Sequence, residues 1–480
     1  MSRSVVITGL GLVTPLGIGV KHAWTSLIGA KSGLVSTSTL PNPEAYESIP
    51  AKVVGAIPRG PISEGKFDAT EHFSPRELRR IPPFIQYAII AAREAFHDAN
   101  WKPETESEQL RTGTSIGSGI GSFQDTYENS VAFHERGYHR TKPLMVPRIL
   151  TNMAAGNVSI YFKLKGPNHA VSTACATGAH SIGDATLMIK EGYADVMVAG
   201  ASEASVHPLA LAGFARAKSI ATGYADDPTA ASRPFDKDRK GFILGEGAGI
   251  VLLESLEHAL ERGAESKIYG EVAGYGMSGD ATHITSPPAD GDGAFRAMEC
   301  AIKRAGILPK DVGYINAHAT STILGDRAEN CALKRLFEND RPDLAVSSTK
   351  SAVGHLLGAS GAVEAIFTML ALKNQILPPT LNCNHPGEQE GDNVDDFIFN
   401  YVPNKAQRIF DVHQIDYALT NSFGFGGTKC LVMSFTLEIA CQIELAVVFS
   451  AHYGKDCIYH VYYVCMFVCL YEIVYMNSSA

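Results

Sequence analysis

Strand-like apolar segments alternate with helical ones along most of this chain, and that alternation constrains its fold more than any other feature. "SVVITGLG" reads as a strand ending in glycine, while "PPFIQYAIIAAREAFHDA" places apolar residues at three- and four-residue spacing and reads as a helix. "YADVMVAGASEA" is apolar throughout, which suits a strand buried on both faces, and "GAGIVLLESLEHALERG" reads as strand then helix. The second half repeats the habit in "VGYINAHAT", "DLAVSSTKS", "GAVEAIFTMLALKN" and "DYALTNSFGFGG". The pattern predicts α/β layers around buried sheet. Two halves meet near residues 255–267, with no repeat visible between them by residue identity. Segments 34–61 and 378–412 are rich in Pro, Asn and Gly and read as irregular connections. The glycine strings "TGLGLVTPLG" and "SIGSGIGS" lack the order of a dinucleotide fingerprint and read as turns.

The 480 residues are enough for one large α/β unit or two to three average domains. A net charge of −9 and the absence of a basic run argue against a nucleic-acid partner. Nine cysteines are widely scattered, without a C-x-x-C pair or a histidine cluster at zinc spacing, which points to a reducing compartment rather than a disulfide framework. "MSRSVVITGLG" passes directly into a strand, so no secretory signal is expected and no Arg-rich presequence is visible. From about residue 437 the composition changes: four of the nine cysteines and six of the eighteen tyrosines follow, with Lys455 the only Lys or Arg. The apolar run at 461–471 is too short and too tyrosine-rich for a membrane span.

One cysteine stands apart. Cys300 and Cys331 fall on apolar helix faces, but Cys175, in "VSTACATGAHSIGDA", lies between a strand-like approach and the start of a helix. Free N–H groups at a helix N-terminus favour thiolate over thiol, and Ala176, Gly178 and Ala179 leave room for a substrate. The competing reading is a small buried thiol with no chemistry. Two histidines sit in similar company, each among small residues: His318 in "YINAHATSTILGD", and His355 in "SSTKSAVGHLLGASGAVEA", with Lys350 five residues earlier. "TNSFGFGGTK" sets small residues around two phenylalanines, as a turn presenting N–H groups or a movable aromatic would.

These four segments, together with "RPFDKDRKGFILGEGAG", resemble the β-ketoacyl-acyl-carrier-protein synthases of the elongating type, the condensing enzymes of type II fatty acid synthesis. The likeness runs from about Val5 to Thr428, and the order Cys, His, His fits the elongating class. It implies a thiolase-like fold of two similar α/β halves in α-β-α-β-α layers, divided at 1–258 and 259–436, with 437–480 an atypical extension. It also implies a homodimer. By the resemblance Cys175 carries the acyl chain as a thioester, with its own N–H and that of Phe425 as the oxyanion hole. His318 and His355 donate to the malonyl thioester carbonyl. Lys350 and Glu364 fix charge and orientation beside them, the alternative being a structural ion pair. Thr320 and Thr322 bind the pantetheine amides, and Phe425, flanked by Gly424, Gly426 and Gly427, acts as a gate.

The implied reaction requires neither coenzyme nor metal, since the substrates carry phosphopantetheine on an acyl-carrier protein, the expected partner. Lys429 departs from the family, which usually has Asn after "GFGGT". The alternatives are a polyketide-type ketosynthase and an inactive or regulatory isoform, the latter because of the unusual C-terminus. By resemblance the compartment is the mitochondrion, with the cytoplasm as the alternative.

Overall fold

The computed structural model describes residues 3–387, 396–409 and 415–434; the extension at 437–480 lies outside them. The first sheet is assembled from β1 (Val5–Thr14), β2 (Gly17–Ile18), β3 (Thr112–Gly117), β4 (Asn168–His169), β5 (Val196–Glu203), β6 (Gly247–Ser255) and β7 (Gly270–Glu271). Its helices are α1 (Pro83–Asp98), α2 (Phe123–Arg136), α3 (Met145–Ile149), α4 (Met153–Phe162) and α5 (Thr177–Lys190). The second sheet holds β8 (Gly274–Gly279), β9 (Val312–Asn316), β10 (Ala345–Ser347), β11 (Tyr417–Gly424) and β12 (Thr428–Ser434), with α6 (Asp292–Ala305), α7 (Ile323–Phe337) and α8 (Ser360–Asn374).

The halves repeat one another in topology. The first sheet runs β2-β1-β6-β5-β3-β4, with β7 also on β1, and the second runs β8-β12-β11-β9-β10. Setting the two-residue β2 and β7 aside, both orders are first, fifth, fourth, second, third strand of the half. The first two neighbour pairs are antiparallel and the last two parallel in each sheet. Helix α1 covers the outer face of the first sheet and α6 that of the second, while α5 and α8 pack together between them. The layers are α-β-α-β-α. Ser360 to Leu372 of α8 are buried without a break, because sheet or helix meets every face of that helix.

Small residues set the layer spacing, and here one sequence reading is corrected. Gly9 and Gly11 of "TGLG" are not in a turn but inside β1, against α1. A Cβ at Gly9 would stand 2.2 Å from the Ala95 carbonyl oxygen, and one at Gly11 1.8 Å from that of Ala91. Gly274 and Gly276 of β8 face α6 in the same way, 2.3 Å from the Ala301 and 2.1 Å from the Ala297 carbonyl oxygen. In the central layer a Cβ at Gly178 would meet the Ala362 nitrogen at 2.5 Å, and one at Gly361 the Ala179 nitrogen at 2.8 Å. Each central helix is entered through a 3-10 turn, Ala174–Ala176 or Leu357–Ala359, whose first residue is left-handed: φ is +50° at Ala174 and +47° at Leu357. Among the described residues no helix is long and apolar enough to cross a membrane.

Candidate active site

Cys175 occupies the 3-10 turn that leads into α5. The left-handed Ala174 before it is strained for a residue with a Cβ and must be held by its surroundings. Thr177 does so twice, accepting from the Thr173 N–H at 2.9 Å and donating to the Ala174 carbonyl at 2.7 Å. His180 Nδ1 lies 2.8 Å from the Thr173 hydroxyl, and Ser422, on β11 of the other half, donates to the Cys175 carbonyl at 2.9 Å. The N–H groups of Phe425 and of Cys175 itself face the sulfur. Burial nonetheless pushes the thiol up to about 12, with the Glu203 carboxylate acting in the same sense and the Lys350 ammonium and the two N–H groups against it. The expectation of a thiolate favoured by the helix N-terminus is therefore reversed at half-buried Cys175: desolvation outweighs the donors.

The second half supplies the two histidines. His318 follows β9; its N–H and that of Ala319 donate to Glu329 of α7 at 2.9 and 2.7 Å, and Asn421 of β11 donates to the same carboxylate at 2.8 Å. His355 lies just before the turn into α8, its N–H donating to the Ile243 carbonyl at 2.7 Å and its Nδ1 2.9 Å from the Ser360 hydroxyl. The two rings stand edge to face, with centroids 5.4 Å apart. Phe242 packs edge-on to His355 and Phe423 lies against His318, each at 5.3 Å. Burial, reinforced by the Lys350 charge, holds both imidazoles well below their ordinary range, so both are neutral near pH 7.

Cys175, His318, Thr320, Thr322, His355 and Phe425 line a single cavity of about 550 Å³. Ile120, Phe214, Phe242 and Leu357 form an apolar part of its wall. The Thr320 and Thr322 hydroxyls are 3.1 Å apart. Lys350 and Glu364 do not line the cavity; they form a buried ion pair behind it, 2.5 Å apart and each 1% exposed. Phe425 is 39% exposed. Its turn continues through left-handed Gly426 and Gly427 and is tied to the facing loop by Gly426 N–H to the Ile284 carbonyl at 2.7 Å and Asp280 N–H to the Gly427 carbonyl at 2.9 Å. Lys429 lines the cavity as well, bound to Asp280 at 2.5 Å, with its ammonium 5.1 Å from the Phe423 ring centre.

Sequence reasoning missed the residues that hold this set in place. Glu329, Ser360 and Ser422 look ordinary in the chain; only Glu329, eleven residues after His318, has a spacing that could have drawn notice. Among the described residues no group of three His, Cys, Asp or Glu side chains is arranged to hold a metal ion.

Comparison with known proteins agrees with this geometry. The family model for the β-ketoacyl synthase N-terminal domain matches residues 2–259, and that for the C-terminal domain residues 269–384. A 3-oxoacyl-[acyl-carrier-protein] synthase 2 from Rhizobium meliloti is 49% identical over 427 residues, covering 89% of this chain and 97% of its own. A mitochondrial 3-oxoacyl-[acyl-carrier-protein] synthase from Arabidopsis thaliana is 46% identical over 446 residues, covering 90% and 93%. Among solved structures, a β-ketoacyl synthase from Burkholderia phymatum superposes with a TM-score of 0.80 at 31% identity, covering 91% of this chain and 100% of its own. A type II polyketide ketosynthase in complex with its acyl-carrier protein gives 0.77 at 30% identity, with the same coverage. The chain thus belongs to the β-ketoacyl synthase family, the acyl-transferring condensing enzymes with a thiolase-like fold.

Proposed function

We propose that this protein extends an acyl chain by two carbons for fatty acid synthesis, with Cys175 as nucleophile and His318 and His355 as hydrogen-bond donors. The observation that carries the reading is the shared cavity, where one thiol meets two neutral imidazoles and two threonine hydroxyls beside an apolar wall. Cys175 Sγ attacks the incoming acyl thioester; the C–S bond to the carrier breaks, and the thiol proton leaves with the carrier sulfur. The N–H groups of Cys175 and Phe425, which already face the sulfur, stabilise the oxyanion of that step.

A malonyl thioester then enters, its pantetheine arm along Thr320 and Thr322. We assign the proton of neutral His355 to Nε2, which donates to the thioester carbonyl beside His318 and leaves Nδ1, 2.9 Å from the Ser360 hydroxyl, to accept from it. Loss of CO2 leaves an enolate held by these donors. Its carbon attacks the acyl carbonyl, the C–S bond to Cys175 breaks, and a 3-oxoacyl thioester leaves. The Lys350–Glu364 pair fixes the charge behind the imidazoles, and Phe425 gates the entrance. Thioester activation and decarboxylation supply the driving force, so we assign no cofactor to the chain.

We take an acyl-carrier protein as the partner, the molecule seen with the polyketide ketosynthase neighbour. Greater likeness to relatives named 3-oxoacyl-[acyl-carrier-protein] synthase, 46–49% against 30% for the polyketide structure, supports the fatty-acid reading. A homodimer is proposed through the exposed edge strand β4 and the flanking helices, which present Phe133, Val146 and Ile160 at 60, 60 and 77% exposure. Relatives from Schizosaccharomyces pombe and Arabidopsis thaliana named mitochondrial support that compartment. Incubation with acyl- and malonyl-carrier protein tests the reading: a two-carbon-longer 3-oxoacyl product and an acyl adduct on the Cys175 peptide are expected. Absence of both would refute it.

A further inference from the structure

The topological repeat gives the Cys175 turn a counterpart. Both central helices are entered by a three-residue 3-10 turn opening on a left-handed residue, so Ala174 corresponds to Leu357 and Cys175 to Gly358. The strand ends correspond likewise: Gly117 at the end of β3 matches Asn316 at the end of β9, which sets Gly119 opposite His318. Glu203, the last residue of β5, matches Gly424, the last of β11. At Cys175 the turn's N–H and that of Phe425 are left to face the reacting sulfur. At the counterpart the Gly358 N–H, which matches that of Cys175, is already occupied.

The occupant is the Glu203 carboxylate, 0% exposed. It accepts from the N–H groups of Gly119 at 2.8 Å, Ile120 at 3.2 Å and Gly358 at 3.1 Å, and from the Ser118 and Ser205 hydroxyls at 3.2 Å each. Five donors converge on two oxygens near the positive end of α8, an arrangement suited to an anion. The approach is close enough that a Cβ on Gly119 would stand 2.7 Å, and one on Gly358 2.8 Å, from Glu203 Oε2. Four of the donors belong to the first half and one, Gly358, to the turn just past His355. Gly119, Ile120, Leu357, Cys175 and His355 all line the same cavity.

We propose that Glu203 is a positioning residue: its carboxylate ties the Gly358 N–H, in the turn just past His355, to the Gly119–Ile120 wall of the Cys175 cavity, and so holds His355 in place. The turn that carries Cys175 thus keeps its N–H for the reacting sulfur, while the matching turn past His355 gives its N–H to a side chain of the first half. The inference rests on the proposed roles of Cys175 and His355.

Glu203→Gln tests it, because the amide cannot accept from all five donors and sets an N–H against one of them. Two rates are followed: acyl transfer to Cys175, which does not use His355, and condensation with malonyl-carrier protein, which does. The expected result is condensation lowered about tenfold with acyl transfer within about threefold of wild type. The pH profile of iodoacetamide attack on Cys175 should also move to lower pH, since the Glu203 charge that opposes the thiolate is gone while that of Lys350 remains. Glu203→Asp, which keeps the charge, should leave that profile in place. Equal loss of both rates, or an unmoved profile, overturns the proposal. Should Glu203→Gln fail to fold, Ser205→Ala, which removes one donor of five and keeps the Glu203 charge, is expected to lower condensation about twofold while acyl transfer and the alkylation profile stay as in wild type; unchanged condensation overturns the proposal. A wild-type protein that never acylates Cys175 would instead refute the functional reading beneath it.

Discussion

Removing the Lys350 charge should produce a stability loss that grows with pH. Lys350 and Glu364 Oε1 are 2.5 Å apart, each residue 1% exposed, and Glu364 Oε2 has no hydrogen-bond partner among the described residues. Burial pushes the Glu364 carboxyl up to about 7, even with Lys350 pulling it down; Glu329 stands at about 7 for the same reason, and Lys350 pulls on it too. A carboxyl whose folded value lies above its unfolded value binds more protons folded than unfolded. Its contribution to stability therefore falls as pH rises from about 4.5 to about 7, and is level above that. In Lys350→Met the folded value rises further, so the fall continues beyond pH 7 in the variant alone. Each proton involved is worth about 1.4 kcal/mol per pH unit. From pH 7 to 8.5 the penalty should grow by about 2 kcal/mol if Glu364 alone responds, and by about 4 kcal/mol if Glu329 follows fully. Equilibrium urea unfolding at pH 6, 7, 8 and 8.5, followed by the fluorescence of Trp24 and Trp101, measures it. Lys350→Met/Glu364→Gln should lose one proton's worth of the slope. A penalty equal at pH 6 and 8.5, or a double variant with the slope intact, would refute the reasoning.

Other outcomes follow from the same geometry. Because desolvation pushes Cys175 up to about 12, its alkylation by iodoacetamide should be slow at pH 7.5 and climb about tenfold per pH unit toward pH 11, as read by mass spectrometry against Cys300, half-buried like Cys175. Cys175→Ala should lower condensation by about 10³-fold or more while leaving the thermal midpoint near wild type, with product formation as the assay. Ser422→Ala removes the hydrogen bond to the Cys175 carbonyl; a loss of about 1 kcal/mol, or about fivefold in the rate of acyl transfer, is expected. Gly11→Ala would drive a methyl into the Ala91 carbonyl, a contact of 1.8 Å that α1 can relieve only by moving off the sheet. Unfolding should show a loss of about 3 kcal/mol, with no change in the pH profile of Cys175.

How much of this was readable beforehand depended on which atoms do the work. The alternation of apolar strands and helices was visible because burial on both faces needs long apolar runs, as in β5 and β6. The repeat was not, because what the halves share is an arrangement of small residues rather than identities at large ones. Gly9-Leu10-Gly11 against Ala91 and Ala95 answers Gly274-Tyr275-Gly276 against Ala297 and Ala301. Strand-interior glycines and turn glycines look alike in a sequence; only the carbonyl facing them tells them apart. Cys175, His318 and His355 stood out through the small residues around them. Glu203, Glu329 and Ser422 act through backbone N–H and carbonyl groups, whose partners leave no pattern in side-chain identities. The thiol illustrates the limit most clearly: a position before a helix is written in the chain, but the desolvation of its sulfur is not.

The placement of β11 has a consequence for the order in which a working molecule comes into being. Cys175 is synthesised well before the strand that completes its surroundings, for Ser422 and Phe425 lie at and just beyond the end of β11. β11 pairs with β9 and β12, so it settles only once both of those strands are made. A chain emerging from the ribosome therefore carries Cys175 early and the Ser422 hydroxyl and Phe425 N–H late. Until residues 417–434 have docked, the Cys175 carbonyl lacks the Ser422 hydroxyl and the sulfur lacks the Phe425 N–H, so the site is complete only once these strands are in place.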